Sequence, residues 1–545
     1  MADGGDGRKL SLILSGAVSL GSFEAGVLTE LLYTLEYLAG HGGPRFQLDV
    51  MTGASAGSMT AAVVARALAH DFTFRSFLHE AWVNRIDIRA LTSAIPPSAL
   101  LCSTPIDQIA RDLLIAPSMQ SVNRPLIAPE RLLMTFMISN MNGVDFVLQT
   151  QVRQDAQFTS TFFSERRRFT LVHGSDGDAG NLQDAGLWER IRQAAVCSGN
   201  FPIAFLPRMM ASDPDAVTGM SGPMLPAYCY VDGGLFNNEP IKEAVELSAE
   251  ADDGAVAPDR KFLLVDANLN HSTADSTFNA ETPFLSITKR LGGMVMGQLA
   301  ANDWLTAQRV NTEIGWRDEF VAQLAGMVRD NEVAHPDVLL GQLDATARGI
   351  IEDKRTIFPL RYADTETELA KGLAATRDQH ADQLTGLSDG RARILERMLF
   401  LLDSVAGLQK KRRLDIDLIY AEPGETAGDR LFSFGGFFEQ KWREHDYRIG
   451  RRKAHDLLPD MLGYQAGAVP PEPGPNGENV YQPDADYSQV DMKDADRHQR
   501  EVLRDSMAKK FGDLAREHAP WLLRVPVGLV ASHIVRSKVG ALLEL

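Results

Sequence analysis

"FQLDVMTGASAGSM", residues 46–59, decides how this chain is read. Its first half is an apolar run of strand formers, and its end opens an Ala-rich helical pattern from Ser58 to about His70. Between them stands the frame Gly53-Ala54-Ser55-Ala56-Gly57. A serine held among small residues where a strand turns into a helix is what a nucleophile elbow requires. Larger side chains at the flanking positions would clash as the chain reverses, and the helix N-terminus beside the serine favours negative charge. The same residues also suit a tight packing turn, and the frame alone divides evenly between the two readings.

Working outward, "KLSLILS" (9–15) reads as a short buried strand, followed by a glycine-bearing loop, "GAVSLGS". Val27, Leu28, Leu31, Leu32, Leu35 and Leu38 then recur at helical spacing until Gly40. With the 46–59 stretch this is strand, loop, helix, strand, turn, helix, the opening of a parallel sheet covered by helices. "RLLMTFMISNM", "DFVLQTQV", "RRFTLV", "AYCYVDGG" and "KFLLVDANL" are further strand candidates. From about 283 to 410 the pattern turns helical with polar faces, and "LDIDLIYAEP" (414–423) reads as one more strand.

Two features flank the serine in sequence. The loop after the first strand, with Gly16 and Gly21, can aim backbone N–H groups at an oxyanion. It matches neither a G-x-G-x-x-G nor a P-loop lysine pattern, which disfavours a nucleotide phosphate. Downstream, "YVDGGLFNNEP" sets Asp232 at a strand end before Gly233 and Gly234. Alone this reads as an Asp-Gly turn. A carboxylate there can also approach another strand-end residue and accept the Ser55 proton.

The "SGAVSLG" loop, the "GASAG" elbow and the "DGG", in that order, resemble the patatin-like phospholipases. "AAVCSGNFPIAFLPR" (194–208) is similar to the segment before the DGG in that family, and the resemblance covers roughly residues 9–270. It implies a three-layer α/β fold with a mainly parallel central sheet, to which this chain adds a large helical insertion and C-terminal extension. It implies a Ser55–Asp232 dyad, an oxyanion hole from Gly16, Ala17, Val18 and Ala56, and motif glycines Gly21, Gly53, Gly57, Gly233 and Gly234, with no metal and no cofactor. The family's run of three glycines and a basic residue is here Gly16-Ala17-Val18, with Leu20 where Arg or Lys often stands. Such a loop keeps its N–H groups provided its residues avoid positive φ. A Ser…Asp…His triad would need His271, His335, His445 or His455, none of which has a glycine-flanked strand-end setting. The dyad is the favoured arrangement.

The expected organisation is an N-terminal tail (1–8), a catalytic core (9–275), a helical insertion or cap (276–413), the last core strand with an aromatic, basic helical segment (414–464), a Pro/Gly-rich linker (465–490) and a C-terminal helical region (491–545). Within 432–454, Trp442, Arg443 and Asp446 suit either a buried clamp on the core or an ordinary amphipathic helix, the latter slightly favoured. The cap is expected to cover the cleft and supply an acyl-chain pocket. Met294 and Met296 suit an acyl chain, though a methionine pair is more often core.

Composition bounds the partners. The formal net charge of −17 disfavours nucleic acid and anionic lipid. The basic clusters Arg166-Arg167-Arg168, Lys410-Lys411-Arg412-Arg413 and Arg451-Arg452-Lys453 read as solvated faces before headgroup contacts. The last 25 residues, apolar with sparse basic groups, read as packed on the body before an interfacial helix. Cys102, Cys197 and Cys229 fit no zinc spacing and point to a reducing compartment. No secretory signal or spanning run is evident, so a cytoplasmic protein, peripheral at membranes, is expected. A homo-oligomer or an activating partner is compatible with the sequence. The function expected is a serine acyl hydrolase on phospholipids or lysophospholipids. The alternatives are an acyltransferase or thioesterase on carrier-bound acyl groups, or a catalytically silent lipid-binding protein.

Overall fold

The computed structural model describes residues 7–545 apart from 97–98, 150–156, 175–179, 203, 215–219, 221–222, 268–283, 331–334, 358–363, 407, 409–412, 430–432, 473–478, 482–486, 488–489 and 519–523. Its strands are β1 (Arg8–Leu14), β2 (Phe46–Gly53), β3 (Arg131–Gln149), β4 (Gln157–Val172), β5 (Arg208–Ala211), β6 (Ala227–Asp232), β7 (Lys261–Asp266) and β8 (Ile416–Tyr420). They form one sheet in the order β5-β6-β3-β2-β1-β7-β8, with β4 paired to β3. The β1–β2, β1–β7, β2–β3 and β7–β8 pairs are parallel, whereas β3–β4, β3–β6 and β5–β6 are antiparallel.

The longer helices are α1 (Gly21–Gly40), α2 (Ala56–Ala69), α3 (Thr104–Leu114), α4 (Ala185–Ser198), α5 (Ile241–Ala251), α6 (Phe284–Asp330), α7 (Pro336–Ile357), α8 (Thr365–Gln379), α9 (Asp389–Ala406), α10 (Gln440–Leu462), α11 (Arg497–His518) and α12 (Arg524–Leu542). Alternation along β1 sorts the layers. Leu10, Leu12 and Leu14 pack with α1, α2, α4 and α10, while Ile13 packs with Phe262 and Leu264 against Ile241 and Ala244 of α5. The sheet is therefore buried on both faces, which explains why its parallel strands read as continuous apolar runs.

The expected α/β architecture is present, and the 414–423 run is the edge strand β8 beside β7. The "RLLMTFMISNM" and "DFVLQTQV" runs are not separate strands. They make the single 19-residue β3, with an irregularity between Ser139 and Val144 that lets one strand read as two. β4 extends well beyond "RRFTLV", and β5 has no apolar alternation to announce it.

The 432–454 segment corrects the amphipathic-helix expectation. In α10, Trp442, Arg443 and Asp446 are buried, and the helix packs along α1. Gly26 and Gly450 permit this approach, since a Cβ at Gly450 would meet the Phe23 carbonyl and one at Gly26 the Tyr447 carbonyl. Arg443 donates to the carbonyls of Val83, Gly436 and Phe437, and Asp446 accepts the amides of Ala427 (2.6 Å) and Gly428 (2.9 Å). The clamp is thus made mainly of side-chain-to-backbone bonds. The core accordingly reaches past 275 to take in α10.

Described parts of the 465–490 segment also lie on the body. Val469 is buried, Glu472 pairs with Arg75 and Arg451, and the Tyr481 hydroxyl donates to Glu30 (2.8 Å). Cys102, Cys197 and Cys229 are free thiols. Among the described residues no helix is long and apolar enough to cross a membrane.

Candidate active site

β1 and β2 end together, Leu14 opposite Gly53, with Val265 of β7 on the other side of Leu14. The turns that follow carry Gly16 and Ser55 at the carboxyl ends of adjacent parallel strands, where α/β sheets place their ligands. Ser55 has φ 51° and ψ −124°, a conformation rare for any side-chain-bearing residue. The flanking glycines permit the turn: a Cβ on Gly53 would lie 2.7 Å from the Ser58 nitrogen, and one on Gly57 would lie 2.5 Å from the Leu14 carbonyl oxygen.

Two hydroxyls brace this strained turn from below. The Ser55 amide donates to Ser198 Oγ (2.9 Å), Ser198 in turn donates to the Met137 carbonyl (2.6 Å), and Ser58 Oγ lies 2.9 Å from Ser198 Oγ. Ser198 sits inside "AAVCSGNFP" and was not singled out by sequence reasoning.

Ser55 Oγ donates to Asp232 Oδ2 at 2.6 Å. Asp232 ends β6, opposite Ile138 of β3, and its Oδ1 accepts the Gly234 amide at 2.7 Å. A side chain at Gly233 would collide with the Met137 carbonyl, so the two glycines let the carboxylate reach the elbow. Asp232 is 2% exposed, and burial pushes its carboxyl up to about 7, although the bonds from Ser55 and Gly234 pull it down. Among the described residues no histidine is hydrogen-bonded to Ser55 or Asp232. His445 faces the Glu425 carbonyl (3.0 Å) and His455 lies beside Glu30, while His271 is outside the described residues.

The glycine-bearing loop departs from expectation at two residues. The Gly16 amide donates to Asn238, to its side-chain Oδ1 (3.1 Å) and its backbone carbonyl (3.3 Å), and so faces away from any substrate oxygen. Val18 has φ 53°, the positive φ that such a loop was expected to avoid. For a β-branched residue this stores about 1–3 kcal/mol. The amides of Ala17, Val18 and Ala56 donate to no acceptor among the described residues. Ala56 begins α2, where an N–H lacks an intrahelical partner. Asn238 lies within "YVDGGLFNNEP", but nothing in that string marked it.

The strained loop is held by the C-terminal part of the chain. Ser19 Oγ donates to the Ser433 carbonyl and accepts the Gly436 amide (3.1 Å). Gly21 packs against the Trp82 ring, 2.6 Å from where its Cβ would stand.

Ser55, Val18 and Ala56 open on a cavity walled by Phe201, Phe205, Phe434 and Phe437 among others. Met59, Trp82, Ile86 and Ile106 also line a second, almost wholly apolar cavity that continues between α2, α3 and α4. The described walls come from residues 18–205 and 434–437, and no described residue of 276–413 lines this space. The 292–298 methionines lie outside the residues whose side chains are described. Among the described residues no group of three or more His, Cys, Asp or Glu side chains is arranged to hold a metal ion.

No curated protein matches the chain. Among solved structures, VipD from Legionella pneumophila matches at 11% identity and a TM-score of 0.19, over 98% of this chain and 90% of VipD. Residues 12–245 match the family model described as patatin-like phospholipase. The elbow, the glycine-bearing loop and the DGG turn all fall inside that span, so the part of the chain that is similar to the patatin-like phospholipases holds every motif of the candidate site.

Proposed function

We propose that the chain cleaves fatty-acyl esters of phospholipids or lysophospholipids with Ser55 as nucleophile and Asp232 as its base. The observation that carries this reading is the 2.6 Å bond from Ser55 Oγ to Asp232 at a strained strand-to-helix turn. Ser55 Oγ attacks the ester carbonyl carbon while its proton passes to Asp232 Oδ2. The tetrahedral oxyanion takes the amide of Ala56 at the start of α2, with those of Ala17 and Val18 across the cleft. As the carbon–oxygen bond to the alcohol breaks, Asp232 returns the proton to the leaving oxygen. Water then attacks the acyl-enzyme, giving its proton to Asp232, and fatty acid leaves with Ser55 restored.

A general base works best with a pKa near the operating pH. Burial supports that role by holding the Asp232 carboxyl at about 7, far above an exposed aspartate. The contiguous apolar cavity suits the acyl chain, with its carbonyl end at Ser55. One observation favours a catalytically silent reading: Asn238 engages the Gly16 amide, so that part of the loop is closed to substrate.

The deciding experiment is fatty-acid release from a mixed phospholipid panel, with fluorophosphonate labelling of the same proteins. Wild type should release fatty acid and label at Ser55. Ser55→Ala should do neither, and Asp232→Asn should fall close to background. Folded wild type that neither labels nor exceeds the Ser55→Ala control would sink the hydrolase reading.

A further inference from the structure

β3 and β4 run as a long two-stranded arm well past the strands they share with the sheet: β3 pairs with β2 only at Leu133–Phe136 and with β6 only at Ile138–Asn140, yet β4 follows it to Gln149. In the described part of the arm, residues 140–149 and 157–164, the single charged residue is Asp145, which already accepts the Thr161 hydroxyl (2.6 Å). Met141, Val147, Phe162 and Phe163 there are between 41% and 55% exposed. Phe162 and Phe163 are consecutive, so they point to opposite faces of the ribbon. Exposed apolar side chains thus stand on both faces, Phe162 on the one that packs through Val144 on Tyr228 and Tyr230, and Val147 and Phe163 on the other among Asp145, Thr159 and Thr161. Apolar groups set on two faces suit a medium that surrounds the ribbon better than one flat partner.

The arm adjoins the candidate site. Phe163 stacks on Phe236 (6.3 Å between ring centres), an exposed residue that stands four positions after Asp232, and Phe146 meets Phe162 edge-on at 5.4 Å. The nearby cations are already matched. Arg166 and Arg168 pair with Glu246, and Arg167 with Glu165 and Asp213. The net charge of −17 on the whole chain disfavours an anionic surface.

We propose that the β3–β4 arm is the chain's lipid-surface contact, its Phe162, Phe163 and Val147 side chains entering the interface of a zwitterionic bilayer beside the Ser55 cleft. The proposal rests on the lipid-ester reading above, and it names the surface on which that substrate is met. Phenylalanine and valine side chains gain by burying their apolar surface at the boundary between headgroups and acyl chains. Contact of this kind is driven by burial, and its strength is nearly independent of salt.

The test uses the full chain carrying Ser55→Ala, so that binding is read without turnover, sedimented with phosphatidylcholine vesicles at low and high salt. Binding should be similar at both salts, and adding Phe162→Ser or Phe163→Ser should lower partitioning about tenfold each, the factor expected for withholding one phenylalanine from an apolar phase. On the Ser55 background the same substitutions should leave the circular dichroism spectrum and the hydrolysis of a water-soluble ester unchanged. The proposal is overturned if the variants bind vesicles as well as their parent. It is equally overturned if binding needs anionic lipid and disappears with salt, or if the substitutions dissolve an oligomer while vesicle binding stays constant. A chain that binds vesicles through the arm but hydrolyses no ester keeps the surface and loses the hydrolase reading, so the two fail separately.

Discussion

Replacing Asp232 by Asn should make the protein more stable and less active at the same pH. The physical reason is that the native state holds a proton on this carboxyl up to about pH 7, whereas the unfolded chain releases it near 3.8. Between those values the native state binds one more proton, so rising pH destabilises it by about 1.4 kcal/mol per unit. Over the window the wild type loses roughly 4 kcal/mol from this one group. Asn does not titrate there and loses nothing. Two other buried carboxyls, Glu24 and Asp446, are likewise raised, but in both proteins, and cancel in the comparison. Chemical denaturation of both proteins from pH 4 to 8 should therefore show the variant gaining steadily on the wild type, with the gain levelling off above about pH 7. The wild-type log kcat/KM for a soluble ester should rise with unit slope up to the same pH and then flatten, because only the ionised carboxyl can take the Ser55 proton. Parallel stability profiles for the two proteins, or a pH-independent turnover across 5 to 8, would refute the assignment of a buried, proton-holding base.

Three further outcomes follow from the geometry. Gly16→Ala would set a Cβ on Asn238 Oδ1 and 3.1 Å from Ser55 Cβ, so kcat/KM should fall about 100-fold or more, and adding Asn238→Ala should restore part of it; an inert Gly16→Ala would show that the loop is not held as described. Ala110→Trp should fill the inner apolar cavity and lower kcat/KM for long-chain esters relative to short-chain ones, measured as a ratio on p-nitrophenyl esters of increasing length. Asp446→Leu leaves the Ala427 and Gly428 amides buried without an acceptor and should cost about 2–4 kcal/mol by denaturant titration, while Asp446→Asn, which keeps an acceptor, should cost less.

Where the sequence was legible, the constraint was local. The β1-loop-α1-β2-elbow-α2 order follows from apolar periodicity punctuated by glycine, and the Ser55–Asp232 pair follows from motifs whose small residues have steric reasons visible in the fold. What escaped reading depended on distant partners. Ser198 and Asn238 are ordinary polar residues until the fold sets one under the Ser55 amide and the other on the Gly16 amide. The burial of Arg443 and Asp446 was equally hidden, because a charged residue on a helix looks solvated until the backbone groups that satisfy it are known. Val18 is instructive in the opposite sense. Its side chain argues against positive φ, and a clasp formed hundreds of residues away overrides that local preference.

That clasp has a consequence in time. Ser19 and Gly436 are separated by 417 positions, so at about 5–20 residues per second Ser19 leaves the ribosome roughly 20–80 s before its partner is made. Through that interval the loop opposite Ser55 lacks the partners that hold Val18 in its strained state. The same dependence separates the family-matched span from a working unit: a fragment ending near residue 245 would keep the serine and its carboxylate and still lack the latch. Placing the latch 417 positions after Ser19 delays assembly of the whole site until both are made, so during synthesis the order of the sequence itself acts as a safety catch.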